Sequence, residues 1–226
     1  MAFTPEQHFI PPNKHSPNSV LPVLIYRDVL PLPLSQERTT SFLEANGWVK
    51  QGVWGHIPVR HFHPNTHECY GIFQGESTLL LGCGANDTTG GVKLNVSAGD
   101  VIVIPAGTAH CSLQSSLDYR YVGVYPKGAP HWRNEYGRDP VDPDGSVAKE
   151  IQSVEMPLHD PVNGENGPLT QLWRNIKQQQ QQERPTHLRS IVTAICAVCF
   201  TATRHKGIWK LLNPFAYWGY SQPNPS

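Results

Sequence analysis

Short apolar runs recur along this chain between clusters of turn residues, and most keep the two-residue period of strands rather than the 3.6-residue period of helices. Residues 21–27 predict a strand, placed at a sheet edge by the prolines around it. Further strands are predicted over residues 56–63, 67–73, 76–82, 92–96, 101–104, 110–114 and 118–125, with a glycine-rich loop from 83 to 91. Residues 101–104 are β-branched without interruption, which predicts a strand buried on both faces. Ser35 predicts the N-cap of a short helix with Phe42 and Leu43 on its apolar side, ending near Asn46 and Gly47. A second helix is expected around residues 147–152. Strands of this length and spacing fit an all-β sandwich or small antiparallel barrel and leave no room for βαβ units. Beyond Pro126 the pattern weakens. The five glutamines at 178–182 open a stretch of different composition, expected to be low-complexity or disordered and to make no contact with the barrel.

Composition narrows the function classes. The 226 residues carry 18 basic and 18 acidic side chains, and this balance gives no footprint for nucleic acid or an anionic membrane surface. With 19 glycines and 21 prolines the chain suits frequent turns. The first 20 residues have neither a basic start nor an apolar core, so no secretory signal is expected and the cytoplasm is the expected compartment. The apolar stretch at 190–203 is shorter than the about 20 residues that cross a bilayer. Five cysteines show no disulfide framework, and Cys196 with Cys199 forms a lone CxxC, a weak signal. Cys69 and Cys111 follow candidate ligands and should face away from them as buried small residues. No P-loop, dinucleotide fingerprint, Ser-His-Asp order or HExxH is present.

The chemistry concentrates between residues 61 and 110. His61 and His63, two apart, share one face if the segment is extended. Pro64-Asn65-Thr66 predicts a tight turn that returns Glu68 beside them, and a second turn through Pro105 and Gly107 delivers His110. His67 should point to the opposite face from Glu68, as a supporting or surface group. Tyr70 and Ile72 share the face of Glu68, and Ile57 and Val59 that of His61; Tyr119, Tyr121 and Tyr125 share another face, where core packing is expected ahead of a part in lining the cavity. Mixed imidazole and carboxylate ligation leaves open coordination positions and suits Fe(II) first, then Mn(II) or Ni(II), over a closed structural zinc.

These residues lie in two blocks that resemble the motifs of the cupin superfamily. The first, G-x5-H-x-H-x4-E-x6-G, is met by Gly55, His61, His63, Glu68 and Gly75; the second, G-x5-P-x-G-x2-H-x3-N, is met by Gly99, Pro105, Gly107 and His110, with Gln114 in place of the Asn. The resemblance implies a small antiparallel jelly-roll barrel with a divalent metal held by His61, His63, Glu68 and His110. It also implies a layout of an N-terminal arm with a short helix over residues 1–50, the barrel over 51–130, an extension over 131–175 and a tail over 176–226. Over residues 1–175 the chain resembles single-domain cupins with a helical N-terminal arm, including fungal oxidoreductases of salicylaldehyde-type polyketide pathways. The expectation is a metal-dependent oxidoreductase acting on a small, partly aromatic substrate, with a homodimer formed through barrel faces. Alternatives are an isomerase, a cyclase or dehydratase with Tyr70 or His67 as general base, or a small-molecule-binding barrel without catalysis.

Overall fold

A computed structural model describes residues 2–180 and 182. The elements are β1 (Glu6–His8), β2 (Val23–Tyr26), α1 (Gln36–Ala45), β3 (Trp48–Trp54), β4 (Glu68–Gln74), β5 (Glu76–Leu81), β6 (Val92–Ser97), β7 (Val101–Ile104), β8 (His110–Ser115), β9 (Arg120–Pro126) and α2 (Ser146–Ser153). A third helix, α3, runs from 168 to 180. Among the described residues the strands form a six-stranded sheet, ordered β1-β2-β7-β4-β9-β3, and a three-stranded sheet, ordered β6-β5-β8. Every pairing is antiparallel, and together the sheets make the expected jelly-roll.

Strand alternation sorts the core into two layers. Val23, Ile25, Tyr70, Ile72, Ile102, Ile104 and Tyr121 point inward, where they meet Leu79, Leu81, Leu94 and Val96 of the small sheet. Their neighbours Leu24, Tyr26, Cys69, Val101, Val103, Val122 and Val124 point outward and are covered by Leu43 of α1 and by Leu169 and Trp173 of α3. The β-branched run at 101–104 is therefore buried on both faces, as its composition predicts. Ser35 caps α1 by accepting from the Arg38 amide. Gly71 lies under this helix, where a β-carbon would stand 2.5 Å from Thr39 Cγ2.

Three expectations about elements are corrected. Residues 21–27 do not form an edge strand, because β1 pairs beyond β2 and makes β2 internal; three polar residues are too few to show a period. The strand expected at 56–63 lies one segment earlier, at Trp48–Trp54. A bulge between Lys50 and Gly52 breaks the alternation of β3, while His61 and Phe62 make only isolated bridges, to His110 and Glu135. The boundary expected at 175 falls inside α3. Pro168 stands at the first helical position, where its missing amide costs nothing, and the lysine and glutamines that follow are good helix formers. Ile176 packs against the outer core, and Lys177 Nζ donates to the Val154 carbonyl at 3.0 Å. The expectations for residues 190–203, Cys196 and Cys199 lie outside the described residues.

Asp160 fastens the segment before α3 onto the outer layer. Buried in full, it accepts from the Tyr26 hydroxyl and from the amides of Val162, Asn163 and Leu169. Asp160→Ala should leave those donors unpaired and lower the unfolding free energy by about 3 kcal/mol, read from urea unfolding followed by tryptophan fluorescence.

Candidate metal centre

His61 and His63 lie on the segment that runs antiparallel to residues 107–110. The amide of His61 donates to the His110 carbonyl at 3.2 Å, that of His110 returns to His61 at 2.8 Å, and the Gly107 amide donates to the His63 carbonyl at 2.8 Å. Gly107 makes this possible, since its φ of 84° lies in the left-handed region and a β-carbon there would meet Ile151 Cδ1 at 2.7 Å. Glu68 enters at the start of β4, opposite Ile104 of β7.

The three imidazoles are oriented in the same way. Nδ1 of His61 donates to the Val59 carbonyl at 2.7 Å, Nδ1 of His63 to the Arg133 carbonyl at 3.1 Å and Nδ1 of His110 to the Thr108 carbonyl at 3.0 Å. A carbonyl oxygen can only accept, so each Nδ1 carries the hydrogen and each neutral ring presents a bare lone pair at Nε2. Ligand atoms of the three histidines lie within 4.8 Å of one another. Glu68 Oε2 is 3.1 Å from His63 Nε2 and 3.2 Å from His110 Nε2. All four side chains are buried, and His110 Nε2 has no hydrogen-bond partner. Lone pairs converging on a carboxylate in a water-poor site repel unless a cation stands between them. The donor set and its orphaned nitrogen therefore fit a divalent metal ion.

Electrostatics agree with that geometry. Burial alone would raise the Glu68 carboxyl, yet the neighbouring imidazoles of His63 and His110 hold it well below the usual carboxylate range. Burial would lower His63, but Glu68 outweighs it and raises the imidazole. His61 is pushed down to about 3 by burial and by its neighbour His110.

The structure brings together His61, His63, Glu68, His110 and Tyr70, whose hydroxyl donates to Glu68 Oε2 at 3.1 Å. His67 is not part of the centre. As period-two alternation requires, it faces the outer layer, where its ring packs 4.9 Å from that of Trp173 and its Nδ1 accepts from the Ala106 amide. Burial and the nearby Lys177 push it down to about 3, so it is a neutral packing group and not the base considered for this site. Val59, expected on the His61 face, is exposed. Cys69 joins the outer core, and Cys111 packs with Leu80 and Cys83.

Tyr125 is the functional candidate that strand reading took for packing. Its hydroxyl donates to Glu68 Oε1 at 2.5 Å, because β9 runs beside β4 with Val124 opposite Cys69. The ring of Trp132 stacks on Tyr125 at 5.3 Å and meets Trp54 edge-on at 5.8 Å. Trp54 lies flat over Gly52 and Gly123, where β-carbons would stand 2.4 and 2.0 Å from its ring.

Residues 57–116 match the cupin family model. Over that stretch the chain is similar to cupins. The uncharacterized protein YjlB of Bacillus subtilis (strain 168) is 29% identical over 169 residues, covering 74% of this chain and 96% of that protein. Among solved structures, a mutant of Bacillus subtilis oxalate decarboxylase is 20% identical over 51% of this chain and 27% of its own, with a TM-score of 0.28. Procruciferin, an 11S globulin of Brassica napus, is 16% identical over 39% of this chain and 21% of its own, with a TM-score of 0.29. The chain thus spans about a quarter of the length of these two structures. Among the described residues, no helix is long and apolar enough to cross a membrane.

Two outcomes are expected from this geometry. His61→Ala, His63→Ala and His110→Ala should each remove most bound metal by elemental analysis, and Glu68→Gln should weaken binding strongly; His67→Gln should leave metal content intact while lowering the melting temperature. Metal affinity should also fall as the solution is acidified through the raised titration of His63, since below it a proton occupies Nε2 and must be displaced. Calorimetric titrations in buffers of different ionisation enthalpy should count more protons released at the lower pH.

Proposed function

We propose that this protein is a metal-dependent cupin oxidoreductase acting on a small, partly aromatic molecule, with His61, His63, Glu68 and His110 as ligands of a divalent ion. The observation that carries the reading is the convergence of three Nε2 lone pairs and one carboxylate oxygen in a buried site whose other ring nitrogens are all pinned to backbone carbonyls. Four protein ligands leave positions open on a six-coordinate ion, and Fe(II) suits the nitrogen and oxygen set, with Mn(II) and Ni(II) as alternatives. Such an ion supplies Lewis acidity and, for Fe(II), a place where substrate and O₂ meet.

The chain's own residues supply orientation and a dry surround. Tyr121, Tyr125, Trp54 and Trp132 form an aromatic rim that suits a flat substrate. Tyr70, pushed up by burial, stays protonated and donates its hydroxyl hydrogen to Glu68 Oε2. These features, with the resemblance to fungal tailoring cupins, support a step in polyketide-type secondary metabolism.

A non-redox isomerase, cyclase or dehydratase is the second reading, favoured by the Tyr70–Glu68 pair as a built-in proton donor and acceptor. Oxygen consumption decides between them. Protein loaded anaerobically with Fe(II) and given a panel of hydroxylated benzyl alcohols and benzaldehydes should consume O₂ with at least one, and His110→Ala should abolish that uptake. Equal turnover with and without O₂ would instead establish the non-redox reading, and a ligand bound without turnover would make this a binding protein.

A further inference from the structure

Glu68 offers two carboxylate oxygens, and they stand in different surroundings. Oε2 faces His63 Nε2 at 3.1 Å and His110 Nε2 at 3.2 Å. Neighbouring ligand atoms at right angles on an ion with bonds near 2.1 Å lie about 3 Å apart, so Oε2 already sits at a ligand's distance from both imidazoles. Oε1 is taken by the Tyr125 hydroxyl at 2.5 Å, the length of a charge-assisted O–H···O bond. Chelation through both oxygens would require the carboxylate to turn and break that bond. The Tyr70 hydroxyl, 3.1 Å from Oε2, resists the same turn from the side of β4.

Tyr125 is itself held. Its ring lies against Trp132 at an interplanar angle of 12°, and the loop carrying Trp132 is clamped by Asn65, whose side chain donates to the His131 carbonyl and accepts from the Arg133 amide.

We propose that Tyr125, assisted by Tyr70, is a positioning residue that restricts Glu68 to ligation through Oε2 alone and so keeps a coordination position free for substrate. The inference rests on the metal-centre reading above and goes beyond it, since that reading requires only that Glu68 be a ligand.

The test uses the full chain, loaded with Co(II), whose visible absorption weakens as its coordination number rises. Wild type, Tyr125→Phe, Tyr70→Phe and Tyr119→Phe are compared by Co(II) spectrum and by competition with a chromophoric chelator, after circular dichroism of each metal-free protein. Tyr119 is the control, an equally buried phenol whose hydroxyl makes no hydrogen bond to Glu68. Tyr125→Phe should weaken and shift the Co(II) bands as Oε1 turns onto the ion, and should change affinity by roughly 10- to 100-fold. Tyr119→Phe should match wild type in both readouts. Unchanged bands and affinity in both Tyr125→Phe and Tyr70→Phe overturn the inference and leave the metal centre standing. Should Tyr125→Phe fail to fold, the spectrum of Tyr70→Phe decides alone. A folded wild type that takes up no Co(II) overturns the metal-centre reading, and this inference with it.

Discussion

Everything at this centre depends on one electrostatic constraint: bare nitrogen lone pairs and a carboxylate cannot be buried together without a positive charge among them. Each ring could relieve the repulsion by rotating Nε2 away, but each Nδ1 is tied to a carbonyl that its own fold fixes. Two of those carbonyls, Val59 and Thr108, lie two residues before the histidines they orient, so the local chain sets the ring as it sets the backbone. The third, Arg133, comes from the loop after β9 and joins that loop to the centre. The carboxylate of Glu68 raises His63, while burial and the ring of His110 push His61 down to about 3.

The two-faced sheet explains how such a site is kept rigid. Because β4 alternates, Glu68 and Tyr70 face the barrel while His67 and Cys69 face α3, and one strand serves a polar centre and an apolar layer at once. Trp173, fully buried, donates from its indole nitrogen to the Pro22 carbonyl and packs its ring near His67. The helix that begins at Pro168 thus braces the strand that carries Glu68 from behind. A neutral His67 suits this place, since a charged ring there would be buried beside Lys177 with no counter-ion.

The parts legible in the sequence were those set by local rules. Alternation identified β4 to β9 to within a residue or two, and the spacings of Gly99, Pro105, Gly107 and His110 follow from a turn whose glycine must adopt positive φ. The face assignment of Glu68 against His67 needed only the period of a strand. What escaped depended on contacts distant in sequence. The bulge in β3 hid a real strand, and the His61 segment, held by His110 on one side and by Glu135 beyond Phe62 on the other, resembles a strand without being one. Composition could not foresee that α3 continues through Lys177 into the first glutamines, because an exposed polar run and the last turns of a helix have the same letters. Tyr125 could be given no partner from the sequence, because only the β4–β9 register reveals that it stands on the inner side beside Glu68.

That register also joins the mouth of the barrel to its centre. Trp132 stacks on Tyr125, Tyr125 bonds Glu68, and Glu68 lies against His63 and His110, so three successive contacts connect a partly buried surface ring with the ligand atoms. The loop bearing Trp132 is anchored by Asn65 next to the turn between His63 and Glu68, and Arg133 pairs with Glu150 of α2 at 2.8 Å. A flat ligand entering between Trp54 and Trp132 would exchange one aromatic contact for another at little cost in buried area. It would also press on the phenol that orients the carboxylate. On the proposed reading, entry of a flat ligand and the orientation of Glu68 would therefore be linked through a single ring.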